Sequence, residues 1–151
     1  MPTRVRSILG LLLAVLTTFL VSCSSPTEVV EKITYTPNQL EQIHKYTEDL
    51  QTLREQMLTI PPLVQKGNWN DVKTFIHGPL GELRFKMLNL SRFLTPKAQE
   101  KARTISKEVF GHLVLIDEAA QTGDARKALQ NYNGVLADFD AFLELIPPEA
   151  A

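Results

Sequence analysis

One cysteine and three histidines are the only thiol and imidazole groups among the 151 residues. A single thiol excludes an intramolecular disulfide and any multi-cysteine zinc or iron–sulfur site. Glu41 and His44 form one Glu-x-x-His pair, but a di-iron bundle needs two such pairs and carboxylates from two further helices. Glu41 also falls beside an apolar stripe rather than within it, so the pair reads as a solvated histidine with a carboxylate neighbour. His112 follows Glu108 by one helical turn, a spacing suited only to an adventitious surface metal. His44, Glu108 and His112 are weak surface candidates, and no built metal site is expected. His77 precedes Gly78-Pro79 and reads as a hydrogen-bonding group at a helix break. Glycine-rich phosphate loops, a nucleophile elbow, HxxxH and CxxC are all absent from the sequence. The chain is expected to be no enzyme, with no intrinsic cofactor and no small-molecule substrate.

Cys23 is the exception, because of what precedes it. Arg4 and Arg6 lead into an uncharged, leucine- and valine-rich run from Ser7 to Ser22. A short basic region followed by such a run is a secretory signal, and it is short for a lasting span of about 20 apolar residues. Leu20-Val21-Ser22-Cys23 matches the bacterial lipobox. There the thiol receives a diacylglyceryl group, the chain is cut before it, and the new amine can be acylated. Two or three acyl chains hold a protein to a membrane where one gives marginal binding. Residues 1–22 are therefore expected to be removed, and Cys23 to be a lipid anchor. Residues 23–36 read as a polar tether, whose 13 residues after the cysteine reach at most about 45 Å at roughly 3.5 Å each.

Four elements must position whatever the remainder does. Apolar residues recur at alternating spacings of three and four from Pro37 onward, the mark of helices with one buried face. The expected helices cover 37–60, 68–94, 96–121 and 124–146. Pro61-Pro62 should end the first, and Gly78-Pro79 should kink the second by removing a backbone donor. Thr95-Pro96 and Asp124 are start signals for the third and fourth, and Pro147-Pro148 ends the last. Matched lengths and short connections predict an all-α, up-down-up-down four-helix bundle over residues 37–151. Trp69, Tyr132, Phe139 and Phe142 have the spacing of core residues.

The net charge of −1 hides strong segregation. Removing residues 1–22 takes two arginines and no acid, leaving 129 residues with 14 bases, 17 acids and a charge of −3. Between Arg84 and Lys107 seven bases face Glu100 alone, whereas from Glu108 onward eight acids face two bases. Blocks of this kind are ordinarily solvated helix faces, and opposite blocks on neighbouring helices can attract each other. Lys97, Lys101 and Arg103 resist that account. They occupy the first turns of the third helix, where the helix dipole disfavours cations by a few tenths of a kcal/mol each. Arg84, Arg92, Lys97, Lys101, Arg103 and Lys107 are therefore the expected interface to an acidic protein partner. Nucleic acid, which demands a strongly basic face overall, is not expected.

Several local strings resemble the cyanobacterial PsbQ-like family of photosystem II extrinsic subunits. They are Trp69-Asn70-Asp71-Val72, Phe75-Ile76-His77-Gly78-Pro79-Leu80-Gly81-Glu82-Leu83-Arg84, Ile116-Asp117-Glu118-Ala119-Ala120 and Asp138-Phe139-Asp140-Ala141-Phe142-Leu143. The likeness covers essentially the whole chain. It implies a non-catalytic, thylakoid-anchored lumenal protein that binds photosystem II lumenal subunits. Such a protein stabilises the complex and supports water oxidation, including retention of calcium and chloride by the oxygen-evolving cluster. Plant relatives lack the lipid anchor and dock through their N-terminal segment, so their docking residues do not transfer to residues 24–36. The alternative reading of the residues is a small periplasmic lipoprotein that binds a metal or another small ligand.

Overall fold

The computed structural model describes residues 34–151, nearly all of them helical, with no strand among them. The expected signal peptide 1–22, Cys23 and tether residues 24–33 lie outside the described residues. The last tether residues belong instead to the bundle. Tyr35 packs against the core, and Thr36 is the N-cap of helix α1 (Pro37–Gln56). The Gln39 amide donates to Thr36 Oγ1 at 3.3 Å, and the Thr36 amide donates back to Gln39 Oε1 at 2.9 Å. This reciprocal capping box satisfies two donors that a bare helix start leaves open.

The first helical rod does not stop at Pro61-Pro62. A 3₁₀ turn at Met57–Thr59 tightens the chain, and a new helix α2 (Ile60–Gln65) takes both prolines into its first turn. Amides in a first turn have no intrahelical acceptor, so proline costs little there. Gly67, at φ +71°, then turns the chain.

The second rod is broken where expected. Helix α3 (Trp69–His77) gives way to a 3₁₀ turn at Pro79–Glu82, and α4 (Leu83–Phe93) follows. Gly78 is needed at the break, because a Cβ there would lie 2.8 Å from the Thr74 carbonyl oxygen.

The remaining two rods are unbroken helices. Helix α5 (Pro96–Thr122) starts at Thr95, whose hydroxyl accepts from the Ala98 amide, and ends at Gly123 with φ +71°. Helix α6 (Ala125–Leu143) is capped by Asp124, whose carboxylate accepts from the Lys127 amide at 2.9 Å. It ends three residues before the expected 146, in a turn through Leu145 and Ile146. Pro147 causes this at a distance, since the residue before a proline is pushed out of the helical region.

Neighbouring rods are antiparallel, as their side-chain pairs show. Lys86 meets Asp49 and Phe93 meets Tyr46; His77 meets Asp117 and Arg84 meets Phe110; Lys127 meets Glu118 and Asn131 meets His112. In each set, moving forward on one rod moves backward on its neighbour. Arg54 closes the square, donating from Nε and Nη2 to the two oxygens of Asp140 at 2.5 and 2.7 Å. The core is fully buried and draws on all four rods, including Ile43, Leu50, Met57, Leu83, Met87, Val109, Ile116, Val135, Phe139 and Phe142.

Two inter-rod groups tie stability to alkaline pH. The hydrogen bond from Lys86 to Asp49 raises the lysine pKa above its ordinary value. Burial raises that of Tyr132, opposed in part by the charge of Arg54. The unfolded chain releases both protons from about pH 10, while the folded chain retains them. Their contribution is therefore complete below about pH 10 and is lost as pH rises through the folded-state values. The urea midpoint should fall between about pH 9 and pH 11, and fall less in the Lys86→Gln, Tyr132→Phe double variant. Identical slopes would show that neither group is linked to folding.

Candidate docking surface

The bases and acids of this bundle have different fates. Asp49, Asp117, Glu118, Asp138 and Asp140 all face a cationic or imidazole group of another element, or of the adjoining rod. Of the seven bases between Arg84 and Lys107, Lys86 alone forms an ion pair among the described residues. Arg92 donates to Asn89 Oδ1 at 3.3 Å, and Arg84 lies over the Phe110 ring at 4.0 Å from its centroid. Lys97, Lys101, Arg103 and Lys107 have no ion-pair partner among the described residues. Attraction between the basic and acidic blocks is thus not what organises the bundle.

The six expected interface residues do not form one patch. A helix turns about 100° per residue, so Arg103 and Lys107 share a face of α5, while Lys97 and Lys101 share another about a third of a turn away. Arg84, Arg103 and Lys107 meet along the seam of α4 and α5, around a hollow of about 210 Å³ that Leu88, Ser91, Ser106 and Phe110 complete. Lys101 lies at a separate hollow with Glu100, Thr104 and Ile105. Beyond the Arg84–Phe110 stack the seam opens again, into about 280 Å³ bounded by Ile76, His77, Leu80, Leu113, Val114 and Asp117 among others. Leu88 and Val114 are 46% and 56% exposed. Neither they nor Phe110 stood out in the sequence. The signal was a second stripe on α5, Arg103, Lys107, Phe110 and Val114, offset from the core stripe by one position.

The histidines do not gather. His44 stays on α1 beside Glu48 at 3.4 Å. His77 reaches Asp117 Oδ1 at 2.9 Å and ties the broken rod to α5. The pairing of His112 with Glu108 does not form, because the ring turns toward α6. Its Nδ1 is 2.9 Å from Asn131 Oδ1 and its Nε2 is 3.5 Å from Asp138 Oδ2. Among the described residues no three histidine, cysteine, aspartate or glutamate side chains come close enough to hold a metal ion.

Comparison with known proteins decides the family. The model of the PsbQ family, described as oxygen evolving enhancer protein 3, matches residues 3–147. CyanoQ of Synechocystis sp. is 46% identical over 146 residues, which cover 96% of this chain and 97% of that protein. The chain belongs to the PsbQ family. It is accordingly an extrinsic subunit of photosystem II that supports oxygen evolution, and not a catalyst. No helix among the described residues is long and apolar enough to cross a membrane.

In this PsbQ bundle the strings that carried the family resemblance prove to be ties between rods. Phe75–Arg84 makes the break in the second rod and supplies His77 and Arg84 to α5. Asp117 and Glu118 take His77 and Lys127, and Asp140 takes Arg54. Trp69, half-buried, lies against the α5–α6 turn, since a Cβ on Gly123 would be 3.5 Å from its Nε1.

Gly134 permits the approach of His112, for a Cβ there would sit 2.5 Å from the imidazole Nε2. Gly134→Ala should displace the ring from Asn131 and Asp138 and destabilise the bundle by about 1–3 kcal/mol, the usual cost of overpacking. Helix propensity alone would stabilise by about 1 kcal/mol. Thermal unfolding separates the two, and a raised midpoint would refute the packing role.

Proposed function

We propose that this PsbQ-family chain is a lumenal subunit tethered to the thylakoid membrane by lipid on Cys23, and that it docks photosystem II through the bases of α4 and α5. The carrying observation is the charge census. Asp49, Asp117, Glu118, Asp138 and Asp140 face basic or imidazole groups within the bundle, whereas Lys97, Lys101, Arg103 and Lys107 are exposed and have no ion-pair partner among the described residues. A partner surface bearing carboxylates supplies the missing counter-charge. Such complementarity contributes mainly to association rate and register.

Lys97 and Lys101 support the reading from a second direction. The first turn of α5 contains no acid, so the positive end of the helix dipole adds to these cations instead of being offset. The folded chain bears that repulsion, and an acidic partner relieves it. Calcium and chloride retention follows as an indirect effect, in which the docked bundle covers the path by which the ions leave. No residue of this chain need touch them.

Two measurements test the proposal. Cys23→Ala should move the protein from the membrane to the soluble fraction in cells lacking photosystem II. Continued membrane retention there would overturn the anchor. Lys97→Glu with Lys101→Glu should weaken binding to photosystem II by at least about tenfold at low salt, with a smaller loss at high salt where the field is screened. Unchanged affinity at low salt would remove the α5 start from the interface.

A further inference from the structure

The seam between α4 and α5 differs from a merely charged surface. It has two apolar hollows in a row, divided by the Arg84–Phe110 stack that lines both. Their volumes, about 210 and 280 Å³, fall below the roughly 300–1,000 Å³ of small-molecule pockets. Each has room for a side chain rather than for a cofactor. Exposed Leu88 and Val114 stand at the two hollows, one on each helix. Phe85, 65% exposed, is one turn before Leu88 on the same face of α4 and prolongs the apolar strip.

The electrostatics of the two hollows are unlike. The first is rimmed by Arg84, Arg103 and Lys107, with no carboxylate among its lining residues. The second ends at His77 and Asp117, which already satisfy each other at 2.9 Å. On α5 the two linings are centred about seven residues apart, or roughly 10 Å at 1.5 Å per residue. The Arg84–Phe110 stack divides them, a contact in which a guanidinium over an aromatic face gains about 0.5–1 kcal/mol at an exposed site.

We infer that this seam is the specificity element of the docking surface, and that it binds an acidic protein segment. The segment inserts two apolar side chains about 10 Å apart, one on each side of the Arg84–Phe110 stack. Its carboxylates lie over the first hollow, against Arg84, Arg103 and Lys107. The neutral second hollow takes an apolar anchor without a charge, which fixes the direction in which the segment runs. Seated anchors in desolvated pockets carry most of the affinity at such interfaces, and the surrounding bases provide steering. This inference rests on the proposed docking to photosystem II and adds to the contact at the start of α5 a second one, on the face of α5 that bears Arg103 and Lys107.

The test uses the full-length chain in detergent and purified photosystem II stripped of it, with affinity measured across a salt series. The near-isosteric Leu88→Asn and Val114→Thr changes fall on exposed positions, and unchanged thermal midpoints would show that the bundle is intact. Together they should lower affinity about tenfold at every salt concentration, leaving the salt slope unaltered. Arg103→Gln with Lys107→Gln should lower affinity chiefly at low salt and flatten the slope. If the Leu88, Val114 variant binds like the parent while Lys97→Glu, Lys101→Glu fails to bind, the seam assignment is overturned and docking by α5 stands. Failure of the parent chain to bind would overturn both.

Discussion

The bundle is built on the close approach of α5 and α6. These two unbroken helices are joined through Gly123, whose left-handed conformation lets the chain reverse at once. Ala102, Ala119, Ala120 and Ala128 are all buried, and Gly134 accepts an imidazole where any side chain would collide. Small residues let two backbones come near enough for His112 to reach both Asn131 and Asp138. The other two rods are interrupted by proline or by 3₁₀ turns, and each packs against one member of this hairpin. Their irregularity is tolerable because the hairpin supplies an unbroken template.

Much of this architecture was legible from residue spacing, because burial on one helical face imposes a period of 3.6 on the apolar positions. Caps at Thr95 and Asp124 and the break at Gly78-Pro79 were equally local in origin. What escaped was the dependence of a proline on its position within a turn. Pro61 and Pro62 look like a stop but occupy a new first turn, whereas Pro147 shortens α6 from outside it. Tyr35 and Thr36 likewise read as polar tether until the core against which Tyr35 packs is in place.

The candidate surface was legible only as composition. Seven bases in 24 residues are visible in one dimension, but the division of the four on α5 between two of its faces appears once the helical rotation is applied. Phe110 was hidden for a related reason. It lies one position past the core stripe residue Val109, and a strip that is only half-buried does not announce itself among more regular apolar residues. The acids, conversely, promised more free charge than they deliver, because five of them face groups across the seams between rods. Exposed bases on α4 and α5 give a weakly anionic molecule a locally cationic flank.

Trp69 gives this arrangement an optical handle. It is the sole tryptophan of the chain, and it lies where the connection between the first two rods meets the hairpin turn of the last two. Its indole nitrogen is close to both left-handed glycines, Gly67 and Gly123. Indole emission therefore monitors one junction rather than the average of the fold. Separation of the two halves at that end would hydrate the ring and redden its emission even while every helix kept its backbone hydrogen bonds. Fluorescence and circular dichroism thus watch different events in this molecule, assembly in one case and helix content in the other.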